Sequence, residues 1–190
     1  MRHGSDSPAW RAAAKVRLMA FDVDGVMTDG RLWYDEAGRE MKAFHALDGQ
    51  GIRLLQAAGL HVAMITGRES GVVAARAANL GITHVFQGVA DKGACFSGLL
   101  AALALSPEAA GFMGDDVIDL PAISLAAFSA APPNAHVAVR RAVSFLTRAR
   151  GGEGAVREVC DFLLAAQDME EIASRRWQKM ASGKPGGAHG

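Results

Sequence analysis

From residue 16 onward, short apolar runs alternate with longer stretches of helical polarity. Residues 16–21 read V-R-L-M-A-F and stop at Asp22, the pattern of a buried strand that ends in acidic residues. The runs R-L-W-Y and E-M-K-A-F flank Asp35-Glu36-Ala37-Gly38, which predicts a hairpin projecting from the body. Helices are then expected over 49–58 and about 70–80, stopped by Gly59 and Gly81, with strands at 61–65 and 83–86. The rhythm continues with a helix over 92–103, a strand at 110–113, a helix over 118–125 and a strand at 128–130. A short helix after Pro133, a strand at 143–146 and a longer helix over 155–167 complete it.

Strands alternating with helices of about ten residues imply an α/β domain, a Rossmann-like, mainly parallel sheet with right-handed crossovers and helices on both faces. Residues 1–15 form a lead-in or a short helix, 16–167 the domain, and 168–190 a tail expected to be partly disordered because it turns Gly-rich at about Ser182. Between Asp24 and Thr66 the hairpin, one helix and one strand use every residue, and between Thr66 and Lys92 there is room for one helix and one strand. No cap domain fits.

Composition narrows the class. The 190 residues are 50% apolar, enough for one core that buries roughly 70% of the unfolded chain's surface without disulfides or structural metal. Twenty Lys+Arg balance 20 Asp+Glu, so no excess of positive charge favours nucleic acid or an anionic membrane. Cys95 and Cys160 lack paired spacing and lie in apolar helical settings, as buried reduced thiols do. With no secretory-type apolar stretch at the N-terminus and no run of 18 apolar residues, the expectation is a cytoplasmic protein.

Ligands of open α/β sheets bind outside the carboxyl ends of the strands. The first predicted strand ends Asp22-Val-Asp24-Gly25 and the second Thr66-Gly-Arg68; the third is followed by Asp91-Lys92-Gly93, and the fourth ends Gly114-Asp115-Asp116. Several carboxylates, a hydroxyl and a lysine therefore meet at one rim, the inventory for moving a phosphoryl group with Mg²⁺. Asp22 and Asp24 leave one strand two residues apart, so one can attack while the other handles protons. Asp115 can offer oxygen to a hard cation, and Thr66 and Lys92 can hold phosphate oxygens. Asp116 and Asp119 are equally explained as acids at a helix N-terminus. Gly49-Gln50-Gly51 lacks the third glycine of a dinucleotide fingerprint, and Gly183-Lys184 lacks the rest of a P-loop.

These strand ends, in this order, resemble the motifs of the haloacid dehalogenase-like superfamily, and Asp24 points to its phosphatases. More narrowly, F-H-A-L-D-G-Q-G-I-R at 44–53, L-G-I-T-H-V-F-Q-G at 80–88 and G-G-E-G-A-V-R-E-V-C-D at 151–161 resemble the 3-deoxy-D-manno-octulosonate 8-phosphate phosphatases of its uncapped branch. The resemblance implies a Mg²⁺ enzyme in lipopolysaccharide inner-core synthesis, with Asp22 as nucleophile and metal ligand and Asp115 as the other carboxylate ligand. Asp24 is implied as acid/base with its backbone carbonyl on the metal, and Thr66 and Lys92 as phosphate holders. Arg53, Arg68, Arg76 and position 45, here His45, are implied to face the sugar acid, Arg68 and Arg76 lying eight apart on one predicted helix. A homotetramer is implied in which neighbouring hairpins and C-terminal segments complete each site, which would cover Leu32, Trp33 and Phe44 of the hairpin.

Two positions depart from the family pattern: Leu47 stands where Arg is frequent and Glu153 likewise, with His45 replacing Asn. They leave catalysis untouched and bear on which sugar is taken. The alternatives are a phosphatase of another acid sugar phosphate, such as a nonulosonate 9-phosphate, and a non-catalytic oligomeric binding module that has kept the fold.

Overall fold

The computed structural model describes residues 7–182. The chain begins with α1 (Pro8–Ala13), capped by the Ser7 hydroxyl, and enters β1 (Leu18–Phe21). A hairpin of two-residue strands, β2 (Trp33–Tyr34) and β3 (Glu40–Met41), follows, its turn held by the Asp35 carboxylate accepting from the Ala37 and Arg39 amides. Then come α2 (Ala46–Ala58), β4 (His61–Ile65), α3 (Gly71–Leu80), β5 (His84–Phe86) and α4 (Lys92–Ala102). The second half runs β6 (Ala110–Met113), α5 (Leu120–Leu125), β7 (Phe128–Ala131), α6 (Val137–Ala142), β8 (Phe145–Leu146), α7 (Ala155–Ala166) and α8 (Glu170–Ser182).

The main sheet has the order β5-β4-β1-β6-β7-β8, and every neighbouring pair is parallel. Both faces are covered, because β1 alternates: Leu18 and Ala20 join one core with Phe96, Phe112 and Val139, while Met19 and Phe21 join the other with Ile52, Leu55, Val156 and Leu163. This is the sandwich of helices about a parallel sheet that the run of buried strands predicts. The chain steps outward from β1 to β4 and β5, then returns across β1 to β6, so the topological switch point lies between β1 and β6. The segment between Asp24 and Thr66 holds only the hairpin, α2 and β4, as the spacing predicts for a chain without a cap.

Three expectations need correction. Residues 170–182, set apart from the domain as the first part of a tail, form α8, which packs against α2: Ala173 is fully buried, Arg176 donates to the Ala57 carbonyl at 3.4 Å, and the Arg53 guanidinium stacks 5.3 Å from the Trp177 ring. Residues 183–190, where glycine predicts disorder, lie outside the described residues. Phe44 is not an exposed hairpin residue; it packs against the body beneath Arg76, 5.5 Å from ring centre to guanidinium carbon. Leu32 and Trp33 are exposed as expected, and Tyr34 and Met41 beside them are exposed as well. Third, Cys95 is only half-buried, although Cys160 is buried and both are free thiols. Among the described residues no helix is long and apolar enough to cross a membrane.

Candidate active site

The sheet register brings the chemistry to one rim. Phe21 pairs with Met64 and with Met113, so Asp22, Thr66 and Asp115 all emerge within two residues of that level. The ladder continues past the strands, with the Asp22 amide donating to the Met113 carbonyl at 2.9 Å and the Thr66 amide to Phe86 at 2.9 Å. Asp22, Asp24, Thr66, Arg68, Lys92 and Asp115 line one cleft of about 260 Å³.

Lys92, the first residue of α4, turns inward. Its ammonium donates to Asp119 at 2.6 Å and lies 2.8 Å from Asp22 Oδ1. Asp119 is fully buried, and its second oxygen accepts the Asp115 amide at 2.9 Å and the Asp116 amide at 3.1 Å. It therefore fixes the loop that presents Asp115, while Asp116 caps the following turn through the Val117 amide at 2.7 Å. Asn134 closes the other side: its Nδ2 donates to the Gly25 carbonyl at 3.1 Å and its Oδ1 accepts from the Gly151 amide at 2.8 Å. Glycine is required at 25, where φ is +95° and a Cβ would stand 2.1 Å from Asp115 Oδ2.

A second wall comes from the hairpin. The Lys42 side chain is buried, and its ammonium bonds the Asp24 carboxylate and lies 3.1 Å from Glu40. Arg68 bridges the same group, donating to Tyr34 Oη at 2.7 Å and Glu40 at 3.0 Å, with its Nε 4.0 Å from Asp24 Oδ2.

Crowded carboxylates raise one another. Burial first, then the negative Asp119, pushes Asp22 up to about 7 against the pull of Lys92. Burial together with Asp22, Asp119 and Asp116 pushes Asp115 up to about 8. Burial alone would lower Lys92, but attraction to Asp22 and Asp119 outweighs it and raises the lysine. Asp24 Oδ2 and Asp115 Oδ1 are buried without a hydrogen-bond partner, and Asp22 Oδ1, though close to Lys92, accepts no well-directed hydrogen bond. Oxygen acceptors left unsatisfied in a cleft of mutually repelling carboxylates suit a hard divalent cation. Oxygens of Asp22, Asp115 and Asp119 lie within 4.8 Å of one another, but both oxygens of Asp119 are engaged by Lys92 and the loop amides.

Asp22, Asp24, Thr66, Lys92, Asp115 and Arg68 are thus brought together as the strand ends predict. Arg68, however, is not on the helix with Arg76: α3 starts at Gly71, and Arg68 belongs to the loop after β4. Arg53, Arg76 and His45 do not line the cleft of this chain. Arg53 donates to the Asn79 carbonyl at 2.8 Å, and Arg76 reaches Asn79 Oδ1 at 3.2 Å and the His45 carbonyl at 3.5 Å. Leu47 and Glu153 are exposed. Sequence reasoning missed Lys42, Glu40, Tyr34 and Asn134 and left Asp119 undecided. The available signal was inverted polarity in the hairpin: Glu40 and Lys42, two apart in an extended segment, face inward while Met41 faces out.

No family model matches the chain. A 3-deoxy-D-manno-octulosonate 8-phosphate phosphatase from Yersinia pestis is 46% identical over 162 residues, 85% of this chain and 87% of the relative, and one from Escherichia coli K12 is 46% identical over 82% of each. Among solved structures, the same enzyme from Moraxella catarrhalis in complex with magnesium ion, phosphate ion and KDO superposes with a TM-score of 0.86 at 36% identity, covering 96% of this chain and all of that one. A Legionella pneumophila protein described as a putative hydrolase of the same superfamily, subfamily III A, gives a TM-score of 0.89 at 40% identity over 90% of this chain and 94% of that one. With relatives of this identity matched along most of both chains, and the strand-end cluster in place, the chain belongs to the 3-deoxy-D-manno-octulosonate 8-phosphate phosphatase family of haloacid dehalogenase-like hydrolases.

Proposed function

We propose that this protein is a Mg²⁺-dependent phosphatase that hydrolyses 3-deoxy-D-manno-octulosonate 8-phosphate to the free sugar acid and phosphate, a step toward the lipopolysaccharide inner core. The observation that carries the reading is the convergence of Asp22, Asp24, Thr66, Lys92 and Asp115 in one cleft of a chain from this family. Asp22 and Asp115, with the Asp24 backbone carbonyl that the family resemblance implies, would hold the cation, since Asp119 is committed to Lys92 and the loop. When bound, Mg²⁺ neutralises the repulsion between the anionic phosphate and the anionic nucleophile.

A carboxylate oxygen of Asp22 attacks phosphorus, the bond to the sugar oxygen breaks, and Asp24 gives that oxygen its proton. Asp24, now a carboxylate, takes a proton from water as the water oxygen attacks phosphorus and releases Asp22. Lys92 and Thr66 hold the phosphate oxygens throughout. Arg68 at the cleft is the side chain placed to meet the sugar acid within one chain; Arg53, Arg76 and His45 contribute only where a neighbouring subunit brings them to a cleft. The proposed enzyme acts in the cytoplasm, and assembly as a homotetramer would cover the exposed Leu32, Trp33 and Met41 of the hairpin.

The test is phosphate release, with Mg²⁺ and with chelator, from the octulosonate 8-phosphate beside nonulosonate 9-phosphates and hexose phosphates. A metal-dependent preference for the octulosonate is expected. Preference for a nonulosonate would move the substrate and implicate Leu47 and Glu153; no release from any ester would leave a binding module.

A further inference from the structure

Beside the cleft, against one of its lining carboxylates, lies a lysine with a buried side chain that the strand-end chemistry does not use. Lys42 directly follows β3 and its side chain is 1% exposed, yet its ammonium lies against two carboxylates, Asp24 and Glu40. A buried ammonium costs several kcal/mol unless paired, so Lys42 has little freedom to be elsewhere. Its contact falls on Asp24 Oδ1, while Asp24 Oδ2 is buried, accepts no hydrogen bond and has Arg68 Nε 4.0 Å away, in a residue that lines the cleft with Asp22 and Lys92. One oxygen of the carboxyl is clamped and the other is left for a proton.

The clamp is itself held. Glu40, on the same inward face of β3, accepts Arg68 at 3.0 Å, and Arg68 is anchored by Tyr34 Oη at 2.7 Å from the opposite strand of the hairpin. Strands of two residues cannot fix a side chain by backbone pairing alone, so this polar set gives the hairpin base its register on the cleft. We infer that Lys42 is a positioning residue that orients Asp24 for proton transfer to the leaving oxygen, with Glu40 and Arg68 holding Lys42 in place. The inference rests on the assignment of Asp24 as acid/base.

A merely structural lysine and a positioning lysine differ in how the leaving group matters. An alkoxide leaving from a sugar phosphate needs the proton of Asp24, whereas 4-nitrophenolate leaves without one. Because kcat/KM covers only the steps through leaving-group release, it isolates that proton transfer from the later attack of water. Lys42→Met is expected to lower kcat/KM for the octulosonate 8-phosphate by about a hundredfold, the lower range of general-acid contributions, and for 4-nitrophenyl phosphate by about tenfold or less. Lys42→Arg, which keeps a cationic donor, should restore part of the loss on the sugar phosphate, and Glu40→Gln should reproduce it more weakly with the same selectivity.

Equal losses on both esters, or no loss, in Lys42→Met and Glu40→Gln would overturn the inference while leaving the parent's Mg²⁺-dependent phosphatase activity, and hence the proposed function, intact. A parent enzyme inactive on every ester would instead overturn the function, and the inference with it. Should Lys42→Met fail to fold, the Glu40→Gln ratio decides alone.

Discussion

Lys92 lines one wall of the cleft and Lys42 backs Asp24 at another, each side chain 1% exposed and each wedged between two carboxylates, Asp22 and Asp119 for the first and Asp24 and Glu40 for the second. They differ in what holds them. Lys92 starts a helix packed on the central sheet, and its partners follow strands whose register is fixed by parallel ladders on both sides of β1. Lys42 stands on a hairpin of two-residue strands, and its partners are tied by side chains to the loop after β4. One wall is built by backbone topology and the other by a polar side-chain set. Phosphate and nucleophile therefore sit on the rigid wall, while the proton-transferring Asp24 carboxyl is held by the adjustable one.

The largest effect should come from the rigid wall. Asp22→Asn removes the nucleophile, and phosphate release should fall by at least about a thousandfold. Comparable activity in that variant would reject the covalent route. Next, Lys92→Met leaves Asp22 and Asp119 buried side by side without a counter-charge. Denaturant unfolding of the metal-free protein should show a loss on the order of 3–5 kcal/mol, partly recovered by Mg²⁺. Lys42→Met should cost clearly less in the same measurement, since Arg68 still pairs with Glu40 at 3.0 Å and Asp24 keeps partial solvent access. Equal losses would mean that the walls do not differ in the way described.

Gly25→Ala sharpens the same contrast from the backbone. The positive φ of +95° and the 2.1 Å approach to Asp115 Oδ2 should together cost about 1–3 kcal/mol, and Mg²⁺ titration followed by thermal shift should show weakened binding. A pH dependence tests the same cluster of carboxylates. Asp22 and Asp115 rise from 3.8 to about 7 and about 8 in the folded, metal-free protein. The folded state therefore holds more protons than the unfolded one between roughly pH 4 and pH 8, and stability falls as pH rises through that window. Mg²⁺ binds the ionised pair, so the Mg²⁺-induced increase in Tm should be larger at pH 8 than at pH 5.5. A shift independent of pH would contradict the raised carboxyls.

How far the sequence could be read follows the same division. Each strand of the parallel sheet is a local apolar run, and the residue after it is delivered to the rim by topology alone, so Asp22, Thr66, Lys92 and Asp115 are legible one motif at a time. Asp119 was ambiguous because acids at a helix start have a local explanation; only its burial and its three bonds show that it organises the loop. Lys42, Glu40, Tyr34 and Asn134 depend on where a hairpin and a distant loop settle, which no local period encodes. The helix at 170–182 was obscured by its polar surface. Among its residues only Ala173 is buried, and Trp177, four residues on, turns toward Arg53 through packing rather than a visible apolar stripe.

The division of labour between the two walls is tested most directly in Asp24→Asn, which leaves Asp22 and Lys92 untouched. Mixed with 4-nitrophenyl phosphate and Mg²⁺, whose leaving group needs no proton, this variant should release a burst of about one 4-nitrophenolate per site and then stall. Mass spectrometry should find the phosphoryl group on Asp22. Steady turnover without a burst, or a burst with Asp22 unmodified, would contradict the assignment of attack to Asp22 and of water activation to Asp24.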